Sequence, residues 1–121
     1  MKLICHPISP FARKAMILAR IHGVEVEESL PKKDGANGYV AGDNPLGKIP
    51  ALEWQPEQYL FDSPVICEYL DSLGDTKLLP AEGHERYLNL WQHALGVVCL
   101  KPFIITDMKP YGPKSCTGLR L

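Results

Sequence analysis

The sequence predicts a small α/β sandwich, with an early β-α-β crossover and a late β-hairpin, and three observations carry that prediction. First, eleven prolines in 121 residues leave proline-free windows at 11–30, 65–79 and 81–101. Helices fit there and hardly elsewhere, because an interior proline removes a donor and clashes with the preceding turn. Second, two windows open on Ser-Pro, at Ser9-Pro10 and Ser63-Pro64, which pairs a capping hydroxyl with a proline suited to the first helical turn. Third, short apolar or alternating segments at 2–5, 24–29, 51–54 and 59–61 fall outside the helix windows and read as strands. The order strand, helix, strand, loop, strand, strand, helix, helix packs as layers of both types.

Each element has its own signal. The first helix closes on His22-Gly23, a cation-capable residue followed by a C-terminal glycine. Phe11, Ala15, Leu18 and His22, with Ala12 and Ala19 beside them, form its expected buried stripe, while Arg13, Lys14 and Arg20 stay wet. Residues 24–29 alternate as Val-Glu-Val-Glu. The stretch 30–50 holds Asp34-Gly35, Asn37-Gly38, Gly42 and Asn44-Pro45, so a single irregular turn is the most regular structure expected there. Strands at 51–54 and 59–61 flank a turn at 55–58. The second helix carries Ile66, Tyr69, Leu70 and Leu73 at helical spacing before Gly74. The third, 84–100, is apolar on more than one face (Tyr87, Leu88, Leu90, Trp91, Ala94, Leu95, Val97, Val98) and needs cover on several sides. From 101 onward prolines and glycines return and an irregular tail, 101–121, is expected.

Composition narrows the function classes. The apolar share of 45% and charged share of 22% are those of an ordinary globular chain, and a chain of this length can bury roughly two-thirds of its unfolded surface. A net charge of −1 favours neither nucleic acid nor an anionic membrane surface as partner. The apolar runs are far shorter than the ~18 residues a membrane span needs, and His6, Pro7 and Pro10 interrupt any signal-peptide core, so a cytoplasmic location is expected. Cysteines 5, 67, 99 and 116 show no C-x-x-C and no metal spacing; they read as reduced, small buried hydrophobes. No metal site is expected.

Three motifs stand in one order: Ser9-Pro10-Phe11-Ala12-Arg13-Lys14, then Asn44-Pro45-Leu46-Gly47-Lys48-Ile49-Pro50-Ala51-Leu52, then Asp62-Ser63-Pro64. Ser9 alone reads as a plain N-cap; the three together resemble the N-terminal, thioredoxin-like domain of the glutathione S-transferase superfamily, close to its bacterial Ser-Pro-Phe members. The resemblance covers about residues 1–80. It implies a β-α-β then β-β-α unit at 1–78 that binds glutathione, and a linker and first helix of an all-helical second domain at 79–100. Because no further helices of that domain can be matched, the resemblance also implies a C-terminally truncated transferase.

The same resemblance implies roles for particular residues. The Ile49-Pro50 bond would be cis, with the backbone of Ile49 pairing like a strand with the cysteinyl unit of glutathione. Asp62 would take the ammonium and Ser63 the carboxylate of the γ-glutamyl end. Lys48 would meet the glycyl carboxylate, although its plain reading is a solvated loop lysine, and Phe11 joins the binding set. Trp54 and Tyr59 read as sheet and core residues. Ser9 would donate to the glutathione sulfur and favour its thiolate. Lowering a thiol from ~8.5 by about two units needs ~2.7 kcal/mol. A hydrogen bond to a charged group supplies about 1.5–3 kcal/mol, and a helix N-terminus about 0.3–1 more. The implied reaction is attack of that thiolate on a small electrophile, a detoxification chemistry, in a homodimer.

Two rivals fit less well. Thiol–disulfide exchange on the same fold needs a low-pKa cysteine at the helix start, where this chain has Ser9, with Ala12 three positions later. A hydrolase triad finds no acid in register with Ser9 and His22. Cys5 reads as an inert core thiol whose pKa the neighbouring His6 could lower. The alternative from another class is a non-catalytic glutathione-binding or protein-interaction module, which would keep the same three motifs.

Overall fold

The computed structural model describes residues 1–34, 38–39 and 44–105, with side chains for 1–32 and 44–100. Its elements are β1 (Lys2–Ile4), α1 (Pro10–Ile21), β2 (Glu27–Ser29), β3 (Lys33–Asp34), β4 (Gly38–Tyr39), β5 (Ala51–Gln55), β6 (Gln58–Leu60), α2 (Ser63–Leu73) and α3 (Gly83–Ile105). Four strands form one mixed sheet in the order β2-β1-β5-β6, and β3 and β4 form a separate two-stranded ribbon.

The sheet is built from the expected crossover and hairpin. β1 pairs with β2 in parallel, Leu3 opposite Glu28, and with β5 antiparallel, Leu3 opposite Leu52. β5 and β6 are antiparallel around the turn at Pro56-Glu57, where Glu57 takes a left-handed φ of 61°. Leu3 and Cys5 on the β1 segment, Ala12, Ala15, Leu18 and Ala19 on α1, Leu52 on β5, and Ile66, Cys67 and Leu70 on α2 form one buried cluster. Burial of each large member is worth about 1.5–3 kcal/mol, and Leu3, Leu52 and Ile66 are fully enclosed at 0% exposure. The alanines of α1 let it lie close against α2. Trp54 closes one side of the core with its ring edge-on to Tyr69, centroids 5.7 Å apart.

Several sequence expectations need correction. The strand expected over 24–29 is confined to Glu27–Ser29, because Val24 and Val26 pack against the core while the chain is still turning out of α1 through Gly23 at φ 65°. The 30–50 stretch is more regular than an irregular turn: Lys33–Asp34 pairs antiparallel with Gly38–Tyr39, Asp34 opposite Gly38. Phe11 is half-buried, and Leu73 is 44% exposed because the buried position on the last turns of α2 goes to Asp71. α3 runs on to Ile105, five residues into the expected tail, since Pro102 removes only one i→i−4 donor near its end. Residues 106–121 of that tail lie outside the described residues, as does Cys116. Cys5 and Cys67 are buried as expected, but Cys99 is exposed on α3. Among the described residues α3 leaves Tyr87, Trp91, Leu95 and Val98 uncovered, at 71, 63, 52 and 61% exposure. No helix is long and apolar enough to cross a membrane among the described residues.

Candidate functional site

Strand direction brings the three motifs together. β1 and β6 are each antiparallel to β5, so they run the same way, and the helices that follow them start at one edge of the sheet. β5 begins at that edge too, because Ala51 lies opposite Ile4, the last residue of β1. Ser9 after β1, Ile49-Pro50 before β5 and Asp62-Ser63 after β6 therefore share one end of the molecule.

Ser9 is the N-cap of α1, extended at φ −73° and ψ 115°, with Pro10 in the first turn. Its Oγ accepts a hydrogen bond from the N–H of Ala12 at 3.3 Å and its carbonyl accepts from Arg13 at 3.0 Å. The cap uses a lone pair and leaves the hydroxyl hydrogen to donate elsewhere. Capping and donation to a bound group are thus compatible at this residue, which is 9% exposed.

The start of α2 is capped differently. Asp62 occupies the N-cap position, but its side chain makes no cap hydrogen bond, so the N–H groups of Ser63 and Val65 receive no acceptor from it. Pro64 carries no N–H. Ser63 is 4% exposed. A carboxylate, a hydroxyl and orphan N–H groups at a positive helix end can hold an ammonium and a carboxylate side by side.

Between the helix starts, Asn44 shapes the approach to β5. It is 2% exposed; its Nδ2 donates to the carbonyl of Lys48 at 2.8 Å and its Oδ1 accepts from the N–H of Leu46 at 2.8 Å. Gly47 turns at φ 61° and donates to the Asn44 carbonyl at 2.8 Å. This closed turn delivers Lys48, whose side chain is exposed, and Ile49. The Ile49-Pro50 bond is cis, as is Phe61-Asp62, and the backbone of Ile49 makes no hydrogen bond among the described residues. Sequence reasoning saw Asn44-Pro45 as a turn and missed that the amide holds the loop; a buried-type position for an amide residue four before Lys48 was its one available signal.

Two further relationships had no local signal. His22 Nε2 and Asp71 Oδ1 meet at 2.8 Å with side chains 4 and 5% exposed. Lys14 Nζ on α1 lies 3.0–3.1 Å from the ring nitrogens of His93 on α3. The buried thiols are not poised for chemistry: burial, and then the neighbouring Glu28, push Cys5 above its ordinary value, so His6 does not activate it. Burial pushes Cys67 up as well. A hollow of about 380 Å³ lined by Ile21, His22, Asp75, Thr76 and Leu78 sits at the C-terminal end of α1, away from Ser9. No group of three metal-ligating side chains occurs among the described residues.

Helices on a mixed four-stranded sheet, with two helix starts and a cis-proline turn at one edge, define the thioredoxin-like fold. Residues 8–73 match the family described as glutathione S-transferase, N-terminal domain, and the chain belongs to that family. It is 41% identical over 71 residues to the uncharacterized GST-like protein YibF of Escherichia coli K12, covering 59% of this chain and 35% of that one. Glutathione S-transferase omega-1 of Sus scrofa is 25% identical over 112 residues, 92% of this chain and 46% of its own length. The chain thus spans between a third and a half of these relatives. Among solved structures, a glutathione S-transferase from Methylobacillus flagellatus KT with glutathione bound superposes with a TM-score of 0.78 at 30% identity, over 95% of this chain and 59% of that one. A glutathione transferase family member from Pseudomonas fluorescens Pf-5, also with bound glutathione, gives 0.65 at 38% identity, over 78% and 48%.

Proposed function

We propose that this chain binds glutathione at the shared edge of Ser9, Ile49-Pro50 and Asp62-Ser63, and that Ser9 stabilises the glutathione thiolate for attack on a small electrophile. The observation that carries the reading is the unused chemistry at the start of α2: a cap carboxylate that does not cap, beside the buried Ser63 hydroxyl. Asp62 takes the ligand's ammonium, and Ser63 with its neighbouring N–H groups takes the α-carboxylate. The backbone of Ile49 pairs with the cysteinyl unit, Lys48 attracts the glycyl carboxylate, and Phe11 packs beside the ligand. The two relatives solved with glutathione bound support this choice of ligand.

With the tripeptide so held, its sulfur reaches the N-terminus of α1. The Ser9 hydroxyl, already accepting from Ala12, donates its hydrogen to the sulfur, and the helix end adds its positive potential. The thiol's proton passes to solvent, and the thiolate then forms its bond to the electrophilic carbon as the leaving group departs with its electron pair, so no general base is required. The exposed Tyr87, Trp91, Leu95 and Val98 on α3 support a homodimer.

The test passes the pure chain over immobilised glutathione and assays conjugation to an aromatic electrophile, with Ser9→Ala alongside. Retention with turnover that Ser9→Ala reduces supports the proposal. Retention without turnover turns it into a binding module, and no retention removes it.

A further inference from the structure

α3 meets α1 and α2 through two polar side chains, Arg86 and His93. Arg86 on its first turns bonds the Glu68 carboxylate of α2 at 3.0 and 3.2 Å and the Pro80 carbonyl at 3.2 Å. Two turns later His93 sits half-buried against Lys14 of α1 and within electrostatic reach of Asp62 and Glu68 of α2. Between these contacts α3 runs back along α2 toward its N-terminus, so His93 stands where the two helix starts meet α3.

The charged groups facing His93 are therefore Lys14 from α1, Asp62 and Glu68 from α2, and, through Glu68, Arg86 from its own helix. The Lys14 ammonium lies equally close to both ring nitrogens, at 3.0–3.1 Å, a place that a neutral ring tolerates. A protonated imidazole repels the ammonium, while Asp62 and Glu68 attract it.

We infer that His93 tunes the affinity of the α2 N-terminus for an amino-bearing ligand: neutral, it faces Lys14 and leaves Asp62 open; protonated, it pairs with the α2 carboxylates and competes with the ligand's ammonium. The inference rests on the reading of Asp62 as the ammonium's partner. Burial and then the Lys14 ammonium push His93 below its ordinary 6.5, against the pull of Asp62 and Glu68, so the competition sets in below neutral pH.

The experiment is calorimetric titration of the full chain from pH 7.5 to 5.0 with S-methylglutathione, which has no thiol to titrate, and with its analogue lacking the amino group. Wild-type affinity for S-methylglutathione falls about two- to fivefold toward acid, the range of a partly exposed ion pair. In His93→Gln the fall is lost. In Lys14→Gln the fall moves to higher pH, because one cause of the lowered imidazole value is gone. The deaminated analogue binds wild type and His93→Gln with the same pH profile. Equal acid falls for S-methylglutathione in wild type and His93→Gln overturn the role of His93 while leaving the binding site standing. No binding of S-methylglutathione at any pH overturns the site and the inference together.

Discussion

The imidazole of His22, at the end of α1, and the carboxylate of Asp71, on the last turns of α2, meet at 2.8 Å inside the protein. The same carboxylate accepts from the N–H groups of Leu78 at 2.9 Å and Leu79 at 3.1 Å, and Lys77 closes the end of α2 by donating to the carbonyls of Asp71, Ser72 and Gly74. One buried side chain thus ties both helices to the connector that leads to α3.

Burial disfavours the Asp71 anion, but the bonds from Leu78, Leu79 and His22 outweigh it and hold the carboxyl below its ordinary 3.8. A lowered folded-state value means that the unfolded chain takes up the proton first. This stabilisation is complete above 3.8 and fades as pH falls below it. Asp71→Asn destabilises the fold by about 1.5–3 kcal/mol at neutral pH, as expected for lost charge-assisted bonds. It also flattens the loss of stability below pH 3.8, which thermal melts of both proteins across pH 3–7 measure.

Gly74 is small because of His22. A Cβ at position 74 would stand 2.0 Å from His22 Nδ1, although the backbone there, at φ −79° and ψ 155°, suits any residue. Gly74→Ala destabilises by about 1–3 kcal/mol through overpacking. The cost shrinks in a His22→Ala background, so the pair is non-additive in denaturant melts.

Glu57 holds a left-handed φ of 61° at the tip of the β5–β6 turn with its side chain exposed. Glu57→Gly stabilises by about 0.5–1 kcal/mol by removing the Cβ penalty, offset in part by the freedom glycine gains when unfolded. Chemical denaturation of the two proteins reads the difference.

The described thiols should separate by environment. Cys99 is exposed, whereas Cys5 and Cys67 are buried with raised values. Brief alkylation of the native protein followed by peptide mapping modifies Cys99 and spares Cys5 and Cys67 until denaturant is added.

Much of this was legible locally. Ser-Pro at 9–10 and 63–64 marked both helix starts, because capping and proline preference act within a few residues. Gly23 marked the end of α1 for an equally local reason, its left-handed φ of 65°, whereas Gly74 sits in extended backbone and is kept small by the distant His22. The β1–β5 pairing that brings Ile49-Pro50 to the same end as Ser9 and Asp62 was not legible from element order; only the family motifs implied that the three meet at one ligand. His22–Asp71 was not legible, since 49 residues separate the partners and only the packing of α1 on α2 makes them neighbours. The same holds for Lys14 and His93, 79 residues apart. Leu73 misled because helical spacing predicts a face but cannot say that a hydrogen-bonded aspartate will occupy its buried end. Pro102 misled because one missing donor near a helix end is a weaker stop than the same residue mid-helix.

On the proposed reading, Ser9 at the start of α1 holds the glutathione sulfur as a thiolate. The most direct measurement is the ultraviolet thiolate absorbance of glutathione bound to the protein, followed against pH in wild type and Ser9→Ala. In wild type the bound thiol is expected to titrate about two units below the free value of ~8.5, and to return most of the way toward it in Ser9→Ala. Titration at the same pH in both proteins would contradict that reading.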